Sequence, residues 1–320
     1  MCKTAVFFGQ ELAQYSFGTF HPFNSSRVFS FWEKFNDSGL RQSSQSVIVK
    51  PVMANEDTIL QFHDDEYVSL VKAASKEGRG FLDRGDTPAF KGVFEASCFV
   101  VGTSLKALEF VMEKKDGIVH AFNPIGGLHH ARRKSAGGFC VFNDIGIMIL
   151  EARKRYGVDR ICYVDIDAHH GDGVYYEFMH DPLTYIADIH EDGKFLFPGT
   201  GSEQETGTGD AKDTKINICL SPQSSDNDFF MAFERVEEFI NTIAKPELII
   251  LQCGADCIEG DPLTHLRYSP IAYRHASERL HELAHRFSDK KIIALGGGGY
   301  NQINIANGWT AVVQSFLMEL

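Results

Sequence analysis

The densest chemistry in the chain lies in Asp165-Ile166-Asp167-Ala168-His169-His170-Gly171-Asp172-Gly173. These carboxylates and imidazoles follow Ile161-Cys162-Tyr163-Val164, an apolar, β-branched run that reads as a buried strand. Ligand-type groups are thus delivered to the carboxyl end of a strand, where open α/β sheets keep their sites. Side chains alternate along a strand, so Asp165, Asp167 and His169 share one face if the chain stays extended. So much charge at the end of a core strand is costly unless a metal or close pairing compensates it. The competing reading is a solvated acidic loop.

Three other strand ends carry unusual residues. Asp256 follows the apolar run Leu248-Ile249-Ile250-Leu251. With Asp167 and His169 it makes a set of two carboxylates and one imidazole, which leaves coordination positions open for water and substrate, as catalytic zinc requires. Alone, Asp256 reads equally well as a helix N-cap. His129-His130 is a tandem pair in a Gly-rich loop; carboxylates such as Asp165 and Asp172 are suited to fixing each tautomer, and one imidazole to acting as general base. Taken singly, these residues also read as surface histidines. Gly296-Gly297-Gly298-Gly299-Tyr300 lets the backbone approach a ligand and sets a phenol behind it. No Lys-Ser/Thr follows, which excludes a P-loop.

The elements that must hold these groups alternate. Apolar runs predict strands at 4–8, 47–49, 117–122, 161–164, 184–189, 215–220, 247–253 and 291–295. Helical spacing appears around 29–32, from 57 to 71, at 93–113, from Asp144 as cap to 156, and at 174–179, 226–244, 272–287 and 303–317. About eight strands alternating with helices predict an α/β fold, a mostly parallel sheet with helices on both faces. With no repeat, low-complexity segment or linker, residues 1–320 read as a single domain.

The 31 basic against 43 acidic residues give a net charge of −12, which disfavours a nucleic-acid binder and suits cationic partners such as lysine-rich peptides. No run approaches a membrane span and the first residues do not resemble a secretory signal, so a cytoplasmic protein without membrane attachment is expected. Seven cysteines without a CxxC pair read as free thiols in a reducing compartment, Cys253 and Cys257 included. The oligomeric state is not legible.

Together these motifs resemble the histone deacetylase family of the arginase-deacetylase superfamily, most of all its compact prokaryotic members related to acetoin-utilisation deacetylases. The resemblance runs from His21-Pro22 to Tyr300 and rests on Gly127-Leu128-His129-His130, Gly138-Phe139-Cys140, Asp165 to Gly173, Phe197-Pro198-Gly199-Thr200-Gly201, Cys253-Gly254-Ala255-Asp256 and the glycine run before Tyr300. It implies the arginase-deacetylase fold. It also implies a hydrolase that is a Zn²⁺-dependent protein lysine deacetylase, with Fe²⁺ as an alternative occupant in the cell and K⁺ as a structural ion near Asp165, Asp167 and His169. Asp167, His169 and Asp256 match the family's metal ligands. His129 and His130 match its paired histidines, with His130 as general base and acid; Asp165 and Asp172 match their carboxylate partners, and Tyr300 the carbonyl-polarising tyrosine. Phe139 and Phe197, with Gly138, match the lining of an acyl-lysine channel, and Asp86 the acid that holds the substrate backbone at its rim.

Arginase-type ureohydrolases place second-metal carboxylates where this chain has Gly171 and Ile258, so a two-metal site is not expected. Polyamine-selective relatives carry an acid where this chain has Leu263, which favours an acylated lysine peptide or protein over an acetylated polyamine. The chain departs from the family at Leu128, where a tryptophan is common, and at Asp188, where a serine often contributes to the potassium site. Small acetylated amines as substrates and a silent acyl-lysine-binding module are the alternatives, and His170 receives no role.

Overall fold

A computed structural model describes residues 2–319; Met1 and Leu320, the ends of the expected domain, lie outside the described residues. Eight strands form one sheet: β1 (Lys3–Phe7), β2 (Ser46–Val49), β3 (Ile118–Asn123), β4 (Ile161–Asp165), β5 (Thr184–Glu191), β6 (Lys215–Leu220), β7 (Leu248–Gln252) and β8 (Ile292–Leu295). Their order is β2-β1-β3-β8-β7-β4-β5-β6. Every pairing between these strands is parallel, a stricter arrangement than the mostly parallel sheet expected.

The described helices are α1 (Gln10–Ala13), α2 (Ser26–Asp37), α3 (Glu56–Ile59), α4 (Asp65–Glu77), α5 (Val93–Glu113), α6 (Asp144–Tyr156), α7 (Asp172–Phe178), α8 (Asp226–Phe239), α9 (Pro270–Phe287) and α10 (Gln302–Phe316). One sheet face packs mainly against α4, α5, α6 and α7, the other against α2, α8, α9 and α10. Coverage on both faces explains why β4, β7 and β8 read as unbroken apolar runs rather than alternating ones. Among the described residues, no helix is long and apolar enough to cross a membrane.

Three elements depart from the sequence reading for local reasons. The segment expected as one helix from 57 is two, because Asn55 caps α3 by accepting from Thr58 N–H and the chain then turns His63 inward, where its Nε2 accepts from Asn143 N–H at 2.9 Å. The cap of α6 is Asn143, whose side chain accepts from Gly146 N–H at 2.8 Å; Asp144 is displaced into the core. Helix α8 stops at Phe239 and continues as a wider π turn through Ala244, with Lys245 left-handed (φ 41°) ahead of Pro246.

The four inner strands β3, β8, β7 and β4 are neighbours, and each sends its following loop to the same edge. Trp309 of α10, fully buried, ties two of these ends together by donating from Nε1 to Cys253 O and Gly296 O, both at 3.1 Å.

Candidate active site

Strand β4 ends at Asp165, and the extended conformation stops with it. Asp167 N–H donates to Asp165 Oδ1 and His169 N–H to Asp167 Oδ1, each at 3.0 Å, so the chain turns on its own carboxylates. The single ligand face expected of an extended strand is therefore split. Asp165 turns toward the loop after β3, while Asp167 and His169 turn toward Asp256 after β7.

One ligand atom from each of Asp167, His169 and Asp256 lies within 4.8 Å of the others, and all three residues are buried. His169 Nδ1 is 3.0 Å from both Asp167 Oδ1 and Asp256 Oδ2. Burial and the nearby Asp167 push the Asp256 carboxyl upward, the signature of two buried anions competing for too little positive charge. A divalent cation fits this donor set, which offers hard oxygens and one imidazole with positions left open. Gln252, at the end of β7, holds Asp167 from behind by donating from Nε2 to Oδ2 at 2.8 Å, and Gly298 N–H donates to the same oxygen at 2.8 Å.

His129 and His130 sit beside this cluster. His129 Nδ1 is 2.7 Å from Asp165 Oδ2, and His130 Nδ1 is 2.7 Å from Asp172 Oδ1. Each carboxylate accepts a hydrogen bond from Nδ1–H, which turns both Nε2 atoms toward one another, 3.1 Å apart. Burial works against charge on both rings, but Asp165 and Asp167 overcome it at His129 and raise it to about 9. At His130 burial and the neighbouring His129 prevail and lower it to about 4. The pair therefore carries one proton between its facing nitrogens, with His130 the acceptor. Asp172 is held low, to about 2: burial opposes this, but His130 and Arg132 outweigh it, with Arg132 donating to its other oxygen at 2.6 Å.

Above these groups lies a channel of about 210 Å³ whose walls include Asp86, His130, Gly138, Phe139, His169, Phe197, Leu263 and Tyr300. It adjoins a wider outer cavity of about 560 Å³ bordered by Asp83, Arg84, Asp86 and Arg132. The Phe139 and Tyr300 rings meet edge to face with centroids 5.7 Å apart. Gly138 is left-handed (φ 50°), and a Cβ there would lie 2.4 Å from the His130 ring and 3.0 Å from Phe197, so only glycine keeps this wall open. Behind the channel, Phe23, Leu128, Cys140 and Tyr300 border a residual space of about 10 Å³. Burial and the carboxylates of Asp256 and Asp167 raise the Tyr300 phenol well above its ordinary range, so it remains a donor.

Several residues that position this machinery are not distinguished by the sequence. Arg27, fully buried, donates to the carbonyls of Gly297 at 2.5 Å, Gly298 at 3.0 Å and Gly299 at 2.9 Å, which clamps the loop carrying Tyr300. Asp261 accepts from Tyr300 N–H at 2.8 Å. Asp144 accepts from the N–H groups of Gly127 and Leu128, at 3.1 and 2.9 Å, and so aims the loop that presents His129. A charged residue at the start of a buried helix was a usable signal for Asp144; nothing local marked Arg27.

Near Gly171 there is no room for a second-metal ligand: a Cβ would lie 2.6 Å from Asp165 Oδ2 and 3.3 Å from His129 Nδ1. Asp188 is bonded to His190 Nδ1 at 2.6 Å and to Gly171 N–H at 2.9 Å. His170 is 2.8 Å from Thr200 Oγ1 through Nδ1, a contact that anchors the loop carrying Phe197.

Residues 21–316 match the histone deacetylase domain family. Acetoin utilization protein AcuC of Bacillus subtilis (strain 168) is 38% identical over 294 residues, 90% of this chain and 75% of that protein. Its namesake in Staphylococcus aureus (strain MSSA476) is 33% identical over 323 residues, 98% of this chain and 82% of that one. The crystal structure of the HDA15 HD domain superposes with a TM-score of 0.89 at 25% identity, covering 99% of this chain and 88% of that one. With the family match and the relatives both spanning nearly the whole length, the chain belongs to the histone deacetylase family of hydrolytic deacetylases, among its AcuC-like members.

Proposed function

We propose that the protein hydrolyses the amide bond of N-ε-acetyl-lysine in peptides or proteins, with Zn²⁺ held by Asp167, His169 and Asp256. The observation that carries this reading is the narrow channel, walled by Phe139 and Phe197, that leads to His130, His169 and Tyr300. A lysine stem suits aromatic walls, and Asp86 at the mouth is placed to hold the substrate backbone. The separate space behind His130, Gly138 and Tyr300 is only about 10 Å³, room for roughly one water, and so small a space favours acetyl over long acyl chains. Leu263 leaves its part of the wall without charge, which favours acyl-lysine over a polyamine.

When bound, the zinc ion supplies Lewis acidity toward the carbonyl and water oxygens. The chain's own groups do the rest. His130 accepts the water proton on Nε2 as the water oxygen bonds to the carbonyl carbon, a step that displaces the resting hydrogen bond from His129. Tyr300 donates its phenolic proton as a hydrogen bond to the oxyanion. His130, supported by His129, returns a proton to the departing lysine amine as the C–N bond breaks, releasing acetate. A structural K⁺ beside Asp165, Asp167 and His169 belongs to the same reading, with the Asp188–His190 pair competing for its charge. The seven free thiols support a cytoplasmic setting.

Acetate release from an acetyl-lysine peptide, measured with and without a chelator, tests the proposal. Tyr300→Phe is expected to keep its metal and lose on the order of 10²–10³ in rate. Wild-type turnover in that variant, or chelator-resistant activity, would overturn it.

A further inference from the structure

Far from the catalytic edge, three histidines meet without any carboxylate. His120 is the third residue of β3 and points to the same sheet face as Phe122; His281 and His285 lie one turn apart near the end of α9. One ring nitrogen of each lies within 4.8 Å of the others. The ring centroids are 4.5 Å apart for His120 and His281, 4.6 Å for His281 and His285, and 5.8 Å for His120 and His285. His120 and His281 are buried and His285 is partly exposed.

All three Nε2 atoms are buried and have no hydrogen-bond partner. Buried polar atoms are rarely left unpaired, and three unpaired ring nitrogens within one cluster of neighbouring imidazoles read as a shared vacancy in bonding rather than three separate accidents. The tautomer of His120 follows from its surroundings. Thr4 Oγ1 donates to Phe316 O at 3.1 Å, so toward His120 Nδ1, 3.5 Å away, it is left to accept. A proton on Nδ1 leaves the buried, unpartnered Nε2 with a free lone pair, the state in which metal-ligating histidines use that nitrogen.

We propose that His120, His281 and His285 form a second metal site, for a zinc-class divalent transition ion, which pins the last turns of α9 to β3. Three imidazoles suit Zn²⁺, Ni²⁺ or Cu²⁺ and disfavour Ca²⁺ or Mg²⁺, which prefer oxygen. Tetrahedral zinc sets such nitrogens about 3.3 Å apart, so modest rotation of the side chains draws the observed cluster closed. A fourth ligand such as water would have to enter beside His285, the one ring of the three that is partly exposed. The site is separate from Asp167, His169 and Asp256, and stands or falls independently of the proposed reaction.

Equilibrium dialysis of the tag-free full chain against Zn²⁺, with metal content quantified, tests this site. The wild type is expected to hold one more equivalent than His281→Gln or His285→Gln, and both variants to retain acetyl-lysine hydrolysis. In an Asp256→Asn background, Co²⁺ should give ligand-field absorption bands that His285→Gln abolishes. Because His285 is partly exposed, its variant is the safeguard if His281→Gln fails to fold. Equal zinc content in wild type and a folded His285→Gln would overturn the proposal, as would Co²⁺ bands that survive that substitution.

Discussion

The chain uses histidine in two opposite ways. At the candidate active site, His129 and His130 are each anchored through Nδ1 by a buried carboxylate, at 2.7 Å in both cases. In the cluster between β3 and α9, the three histidines have no carboxylate, and their Nε2 atoms are orphaned. The difference shows that burial alone does not give an imidazole a task. Desolvation lowers the affinity of every one of these rings for a proton, and only Asp165 and Asp167 reverse that at His129. Two neighbouring rings with protonation states forced apart make an acid-base pair, whereas three neutral rings offer lone pairs.

If the anchored pair performs the proton transfer, its removal is the largest effect to be expected. His130→Ala should lower kcat on an acetyl-lysine peptide by on the order of 10²–10⁴ while metal content holds. A decrease smaller than tenfold would place the base elsewhere and undo the contrast.

His63 sharpens the comparison from a third position, since its partners are backbone alone: Nε2 accepts from Asn143 N–H, and Nδ1 faces Arg133 O at 3.4 Å. Burial, the leading cause, lowers it from 6.5 to about 4. Above pH 6.5 it is neutral folded or unfolded and contributes no pH dependence. Below that the unfolded chain takes up the proton first, so stability falls until pH reaches about 4. The full loss is about 3 kcal/mol. Urea titrations between pH 7 and 4 should show a shallower decline in His63→Gln than in wild type; parallel curves would mean that His63 already titrates normally in the fold.

The ligand-rich strand ends were readable because they interrupt apolar runs, and unbroken runs such as Leu248-Ile249-Ile250-Leu251 were enough to suggest a covered sheet. Side-chain direction beyond the last strand residue was not readable. Asp165, Asp167 and His169 were expected on one face, and successive side-chain-to-backbone hydrogen bonds turned them apart. Arg27 was also invisible in its role, because its acceptors are backbone carbonyls some 270 positions away. For His281 and His285, the one-turn spacing on a helix was a signal, but it acquired meaning only when β3 placed His120 against it.

The anchoring carboxylate can be tested with the ring left in place. Asp172 fixes the proton on His130 Nδ1 and itself receives Arg132. Asp172→Asn preserves shape but removes the charge that favours this tautomer, and is expected to cost about 10–100-fold in kcat/KM with little change in metal content. Retained activity would show that packing against Phe197, whose ring centroid is 5.0 Å from that of His130, is enough to orient the base.

The smallest effect is the most discriminating for the uncarboxylated cluster. In metal-free protein, His281→Leu replaces a buried ring whose Nε2 lacks a partner with an apolar group. Loss of the ring contacts with His120, His285 and Phe316 is then offset by removal of an unsatisfied nitrogen. The expected change in unfolding free energy is within about 1 kcal/mol in either direction. With Zn²⁺ present, the wild type should gain more stability than the variant, which keeps only the Asp167, His169 and Asp256 site, because a ligand that binds only the folded state stabilises it by mass action. The same substitution made on a carboxylate-anchored ring strands a buried charge and has no such neutral condition. A large destabilisation of His281→Leu in chelator would therefore mean that the three rings are held by packing, and that their orphaned nitrogens are tolerated rather than used.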